Sequence, residues 1–389
     1  MNNSMKIFRV FGIDIKLHFT WWFVFALIAW SLSSAFFPHY FPDQTQTMYW
    51  SMGITASLLL FVSVLLHELS HSLVARAKNI KVESITLFFF GGVAGITKED
   101  MKPSSEFLMA IAGPLFSLVL AGIFFVIWKI NGNVFWTAIT YYLWQLNLIL
   151  ALFNLVPAFP LDGGRAFRAI LRAYFKDLKK ATRIAVIGGK LFAGFLFFMG
   201  ILALVSGVGT GLWFIFLGGF LYFIAGASYD QVIIKETLST IKVKELMNKK
   251  PKIVDPGMQF SDFVQKYENS EEDVFVVRDK DFSGTLNLEK IEKMPIKMQQ
   301  MVKLKQIAMP FHQIKTLKKD DNAYTAFRKI AQQGVELLPV MNKDKLSGLL
   351  TRKKLMHRLV WELKFGGVNK LSKKFEKVLK KKRRRRRNK

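Results

Sequence analysis

Five long stretches without a charged side chain dominate the first 240 residues: Phe19 to Phe37, Tyr49 to Leu66, Phe107 to Trp128, Val134 to Leu161 and Leu191 to Tyr229. Each is long enough for a helix that crosses a bilayer, which takes about 20 residues. The last runs to 39 residues, and a single helix of that length would reach about 58 Å at 1.5 Å per residue. That is nearly twice the hydrocarbon thickness, and Gly207-Val208-Gly209-Thr210-Gly211 sits where a turn is required. The pattern therefore predicts six spans. Beyond residue 240 it changes to short apolar runs set among charges. Val274 to Val277 and Gly284 to Leu286 read as strands, Phe260 to Tyr267 as a helix. A similar order returns about sixty residues later: a helix over Ala323 to Gln332, a strand over Leu337 to Val340, and Gly348 to Thr351 before a closing helix. An internal repeat of this size outweighs any single short motif.

Composition sharpens the division. The chain is 51% hydrophobic yet carries 56 Lys and Arg against 28 Asp and Glu, which excludes both an ordinary soluble domain and a disordered chain. Residues 1 to 240 hold 18 basic and 11 acidic side chains, the remainder 38 and 17. Basic residues in the first part collect before the first span (Lys6, Arg9, Lys16) and in two loops, Val74 to Ser105 and Phe159 to Arg183, while the alternate loops carry one between them. By the positive-inside rule both termini face the cytoplasm, as expected for a multi-pass protein of a prokaryotic cytoplasmic membrane. The first apolar run lacks a small-residue cleavage site and reads as a retained span. With no cysteine in the chain, disulfides and thiolate metal sites are excluded, and a metal would have to use His and carboxylates.

Two ionisable clusters fall at membrane depth, where charge is costly and usually kept for chemistry. His67-Glu68-Leu69-Ser70-His71 ends the second span. On a helix, positions i and i+4 share a face, so both imidazoles can grip one ion with Glu68 beside its open position. Zinc held by two histidines needs a third protein ligand. The stretch from Asn154 to Arg165 offers Asp162, on a segment that Pro157, Pro160 and the Gly163-Gly164 pair should leave unwound. Taken alone, that stretch reads equally as an ordinary helix exit with a turn. Together with the first cluster it makes a site of two histidines and one aspartate. His18 and His39 have no such constellation.

These residues resemble the site-2 proteases, intramembrane zinc metalloproteases that cut transmembrane helices of regulatory proteins. The resemblance covers residues 6 to about 230. It rests on Ile13 to Trp22 as a short strand entering the first span, HELSH as the zinc motif, and Phe90-Gly91-Gly92-Val93-Ala94 as the strand and loop after it. It rests also on Ala112-Gly113-Pro114 as the start of the third core helix and on the NxxPxxPxDGGR stretch as the second metal motif. The resemblance implies that His67, His71 and Asp162 bind one catalytic zinc, that Glu68 is the general base, and that Asn154 holds the scissile carbonyl or the oxyanion. An edge strand at Gly91-Gly92 could pair with an unwound substrate segment, or those glycines could only form a turn.

The repeat in the second half resembles a pair of CBS motifs, cytoplasmic modules that often bind adenine nucleotides. Where that family places a ribose-binding Asp, this chain has Lys290 and Lys354. A nucleotide sensor and a degenerate, dimerising pair therefore both stay open. Residues 370 to 389 hold 13 basic side chains and one acid. With Leu371, Phe375, Val378 and Leu379 on one helical face, this tail reads as a contact for anionic lipid ahead of nucleic acid. The expected organisation is an α-helical polytopic membrane protein with a C-terminal cytoplasmic α/β CBS-pair domain: a protease core over 1–235, the CBS pair over 241–366, able to form a homodimer, and a basic tail over 367–389. The expected substrate is a single-pass transmembrane protein. The rivals are a CBS-regulated transporter or channel and a metal sensor without hydrolysis; neither needs Glu68 beside the two histidines.

Overall fold

The fold is that of a computed structural model, which describes residues 4–88, 91–96, 101–130, 132–270, 272, 274–287, 302–342 and 345–365. The chain divides into two compact units, Met1–Asp230 and Gln231–Lys389.

The first unit opens on a hairpin of β1 (Ser4–Val10) and β2 (Ile13–His18), turned at Phe11 and Gly12, both at positive φ. Ile13 and Ile15 point inward and are fully buried, while Asp14 between them pairs with Lys6 at 2.7 Å. That hydrogen bond holds the Asp14 carboxyl below the ordinary carboxylate range. Two helices follow, α1 (Thr20–Tyr40, with one π turn at Leu32–Phe36) and α2 (Gln46–Ala77), before β3 (Val82–Phe88) and β4 (Gly91–Ile96). The sheet order is β1-β2-β3-β4, with β3 parallel to β2 and β4 antiparallel to β3, so β4 forms an edge. Then come α3 (Pro103–Ile130), α4 (Val134–Leu155), α5 (Asp162–Phe175), α6 (Leu178–Val205) and α7 (Gly211–Ser239), the last of which runs on into the second unit.

Among the described residues six helices are long and apolar enough to cross a membrane: α1, α2, α3, α4, α6 and α7. They correspond to the six spans in the pattern, and the split between α6 and α7 falls at the glycine-rich turn, where Gly207 takes φ +77°. Helix α2 would be about 48 Å long at 1.5 Å per residue, longer than the hydrocarbon core. It buries Ser63, His67 and His71, each one turn from the next, on one face.

Two expectations are corrected here. Ala112-Gly113-Pro114 does not start a helix: α3 begins at Pro103, whose fixed φ suits a first helical position, and Pro114 lies inside it. Asp162 is not on unwound backbone either. The irregular stretch is 156–161, and Asp162 is the first residue of α5.

The second unit holds two copies of one strand–helix–strand–strand pattern. In the first, β5 (Ile253–Val254), α8 (Phe260–Tyr267), β6 (Val274–Arg278) and β7 (Ser283–Asn287) form a mixed sheet with β8 (Met309–Pro310). The second is built of β9 (Leu317–Lys318), α9 (Ala323–Gln333), β10 (Leu337–Asn342) and β11 (Lys345–Thr351), closed by helix α10 over 352–365. In both, the first pairing is parallel and the second antiparallel. Apolar positions at helical spacing drive each helix onto its sheet: Phe260 and Phe263 against Phe275 and Leu286 in one copy, Ala326 and Ile330 against Leu338 and Val340 in the other. Lys290 and the basic tail lie outside the described residues.

Candidate metal centre

His67 and His71 project from one face of α2, and Asp162 reaches them from the start of α5. Their facing atoms form a small triangle. The two imidazole Nε2 atoms are 3.2 Å apart, and Asp162 Oδ2 lies 3.3 Å from that of His67 and 3.0 Å from that of His71. Donors bound to one zinc ion at about 2.0 Å in tetrahedral geometry stand about 3.3 Å apart. The three are the cluster of metal-type donors found among the described residues, and both histidines are buried.

The far side of each ring is anchored. His71 Nδ1 donates to the carbonyl oxygen of Met109 at 2.6 Å, a carbonyl being only an acceptor, so in the neutral ring the lone pair is on Nε2, the atom that faces His67 and Asp162. His67 Nδ1 is 2.9 Å from the Ser117 hydroxyl, which is fully buried. Partners of this kind fix tautomer and ring orientation. Both come from α3, and so does Gly113 between them. A Cβ on Gly113 would lie 2.6 Å from Nε2 of His67 and closer still to Nε2 of His71, well inside van der Waals contact. Only a residue without a side chain lets α3 come this close to the two Nε2 atoms.

Glu68 sits beside the donors and is not one of them. Edge strand β4 passes over it: a Cβ on Gly92 would be 3.0 Å from the Glu68 Cδ and would collide with Cγ. Gly91 is the neighbouring first residue of β4, paired with Phe88. The expected residues His67, Glu68, His71, Asp162 and Gly92 thus converge. Asn154 is partly buried near the end of α4 and makes no hydrogen bond to the three donors among the described residues. Arg165 approaches Asp162 Oδ1 at 3.7 Å from the next turn of α5. The i, i+4 spacing pointed to the two histidines and the proline- and glycine-rich stretch to Asp162; Met109, Gly113 and Ser117 carried no motif signal of their own beyond the Ala-Gly-Pro string.

The second unit contains a cleft of about 620 Å³ lined by Asn248 and by residues of both copies, among them Val274, Asn287, Thr351 and Lys354. Thr351 Oγ1 accepts from the Lys354 backbone N–H at 3.3 Å.

Comparison with known proteins bears on both units. The peptidase family M50 model matches residues 55–132 and 129–199, and the CBS domain model matches residues 304–360. A candidate zinc metalloprotease of Synechocystis sp. is 32% identical over 359 residues, 90% of this chain and 94% of that protein. A zinc metalloprotease of Methanocaldococcus jannaschii is 35% identical over 273 residues, 69% of this chain and 74% of that one. Among solved structures, the site-2 protease from the same archaeon is similar at 32% identity, covering 58% of this chain and 95% of that chain with a TM-score of 0.41.

Proposed function

The chain belongs to peptidase family M50, the site-2 protease family of zinc metalloproteases, and from that premise we propose that it hydrolyses a peptide bond in or near a transmembrane segment of a membrane protein. The observation that carries the reading is the triangle of His67, His71 and Asp162 donors with Glu68 held beside it under β4. Those three residues would hold zinc, which when bound polarises a carbonyl and makes water a nucleophile near neutral pH. Glu68 takes the proton from the attacking water and returns it to the leaving amide nitrogen. Asn154 holds the scissile carbonyl. A helical substrate hides its carbonyls in its own hydrogen bonds, so the segment must be extended first, and β4, an edge strand among the described residues, offers Gly91 and Gly92 for it to align on. A transporter or a sensor would have no use for a carboxylate in that place. The test is a comparison of membrane proteomes between cells carrying the parent and Glu68→Gln: one or more membrane proteins should accumulate uncut, and identical proteomes would count against the reading.

We assign the protease core to 1–235, the CBS pair to 241–366 and a lipid-binding basic tail to 367–389, with both termini in the cytoplasm. Because the chain has no cysteine, single introduced cysteines report topology cleanly. A membrane-impermeant maleimide should label Thr45→Cys from outside and should reach Lys179→Cys and Lys280→Cys only after the membrane is opened. Labelling of Lys280→Cys in intact cells would reverse the orientation.

The cleft of the CBS pair is the proposed regulatory site, and the pair the proposed homodimer contact. Lys354 lines that cleft, and the CBS resemblance expects a ribose-holding carboxylate at its position in the sequence, so adenosine loses that anchor while phosphates gain an ammonium group. Calorimetry on the purified chain should show weak or absent AMP binding, and any ATP binding should fall steeply with salt. Tight, salt-insensitive AMP binding would contradict this assignment.

A further inference from the structure

The first unit holds a buried ion pair for which hydrolysis has no direct use. Glu106, in the first turn of α3, is 2% exposed. Arg168 of α5 donates to its Oε1 through Nε at 2.7 Å and through Nη2 as well. Arg172, one turn further along, donates to the Met101 carbonyl at 2.7 Å and stands 3.9 Å from Glu106 Oε2. The Arg168 guanidinium also lies over the Phe159 ring, 4.9 Å from its centroid. Phe159 belongs to the irregular stretch that leads into Asp162. One arginine therefore touches the start of α3, the irregular stretch and α5.

The positions along α3 give this contact its meaning. Glu106, Met109, Gly113 and Ser117 follow one another at steps of three, four and four residues, so they share a face. Along that face Met109 orients His71, Gly113 leaves room for both Nε2 atoms, and Ser117 orients His67. On α5, Asp162, Arg165, Arg168 and Arg172 likewise fall on one side. The helix that fixes both imidazoles is the same helix to which Asp162's helix is fastened. Apolar side chains would hold two helices together without specifying their register, whereas a guanidinium fork on a carboxylate is directional. A slide of α5 by a single residue, about 1.5 Å, would break the fork and carry Asp162 out of hydrogen-bonding distance of the imidazoles.

We propose that Glu106 and Arg168 are positioning residues for the metal centre, their ion pair setting the register of α5 against α3 and so holding the Asp162 carboxylate at His67 and His71. This rests on the reading of Asp162 as the third ligand.

The experiment loads the full-length protein in detergent with cobalt(II), and reads metal affinity by chelator competition, the ligand-field spectrum, and helix content with thermal unfolding. Asp162→Ala is the reference. Glu106→Gln leaves a buried guanidinium without its counter-charge; Arg168→Lys keeps the charge but loses the fork, and decides the matter if the first variant fails to fold. Both should bind cobalt about 10- to 100-fold more weakly, with the spectrum moved toward that of Asp162→Ala in protein that remains helical. A weakened Asp162→Ala beside a folded Arg168→Lys of parental spectrum and affinity would overturn the clamp alone, and so would a lower melting temperature with no spectral change. A parental Asp162→Ala would overturn the ligand assignment and the clamp with it.

Discussion

Glu68→Gln protein is expected to keep about one zinc ion per chain and to lose proteolysis, by a factor on the order of 10²–10⁴. The side chain is not among the three donors, whose atoms already stand 3.0–3.3 Å apart, so zinc keeps its ligands. Glutamine matches glutamate in shape, so the contact with Gly92 survives and β4 keeps its place over the site. What disappears is the proton acceptor. Metal analysis of the purified variant, beside cleavage of a transmembrane substrate in proteoliposomes, separates these effects. A fully active Glu68→Gln would remove Glu68 from the role of base, and a metal-free one would make it part of the binding site.

The same substitution marks the limit of what spacing conveys. HELSH places two imidazoles on one helical face and a carboxylate next to them, which is local information. That Gly92 closes over the carboxylate depends on β4 lying at the edge of a sheet whose other strands come from residues 4–18 and 82–88. Long uncharged runs were legible because a membrane span is set by length and composition, and even the break within the 39-residue run showed as a cluster of glycines. The CBS repeat was legible because its helices and strands return at a fixed interval, with Phe260 and Ala323, and Val274 and Leu337, each 63 residues apart. Long-range pairing was not. Arg165, Arg168 and Arg172 count in the sequence as loop charge, and nothing near them indicates a partner 62 residues away at Glu106. The start of α5 escaped for a different reason: prolines at 157 and 160 predict irregular backbone, but the helix resumes as soon as they end.

Gly113→Ala is expected to weaken metal binding at the site and leave the helices standing. In an exposed helix the change from Gly to Ala is favourable by about 1 kcal/mol, so α3 itself gains. The new methyl, however, would enter the space bordered by both Nε2 atoms, and α3 cannot retreat from the rings without breaking its own holds on them at Met109 and Ser117. Overpacking of this kind typically costs about 1–3 kcal/mol, and the groups that must give way are the imidazoles. The loss therefore falls on the metal: affinity should drop by roughly 10- to 100-fold, and proteolysis with it. Gly122 supplies the control within the same helix, since a Cβ there would meet nothing within 4 Å. Gly122→Ala should retain zinc and activity. Dialysis against a graded chelator, with helix content followed in parallel, reads the contrast. If Gly113→Ala and Gly122→Ala release zinc at the same chelator strength as the parent, α3 does not crowd the two Nε2 atoms at Gly113, and its hold on both histidines would rest on Met109 and Ser117 alone.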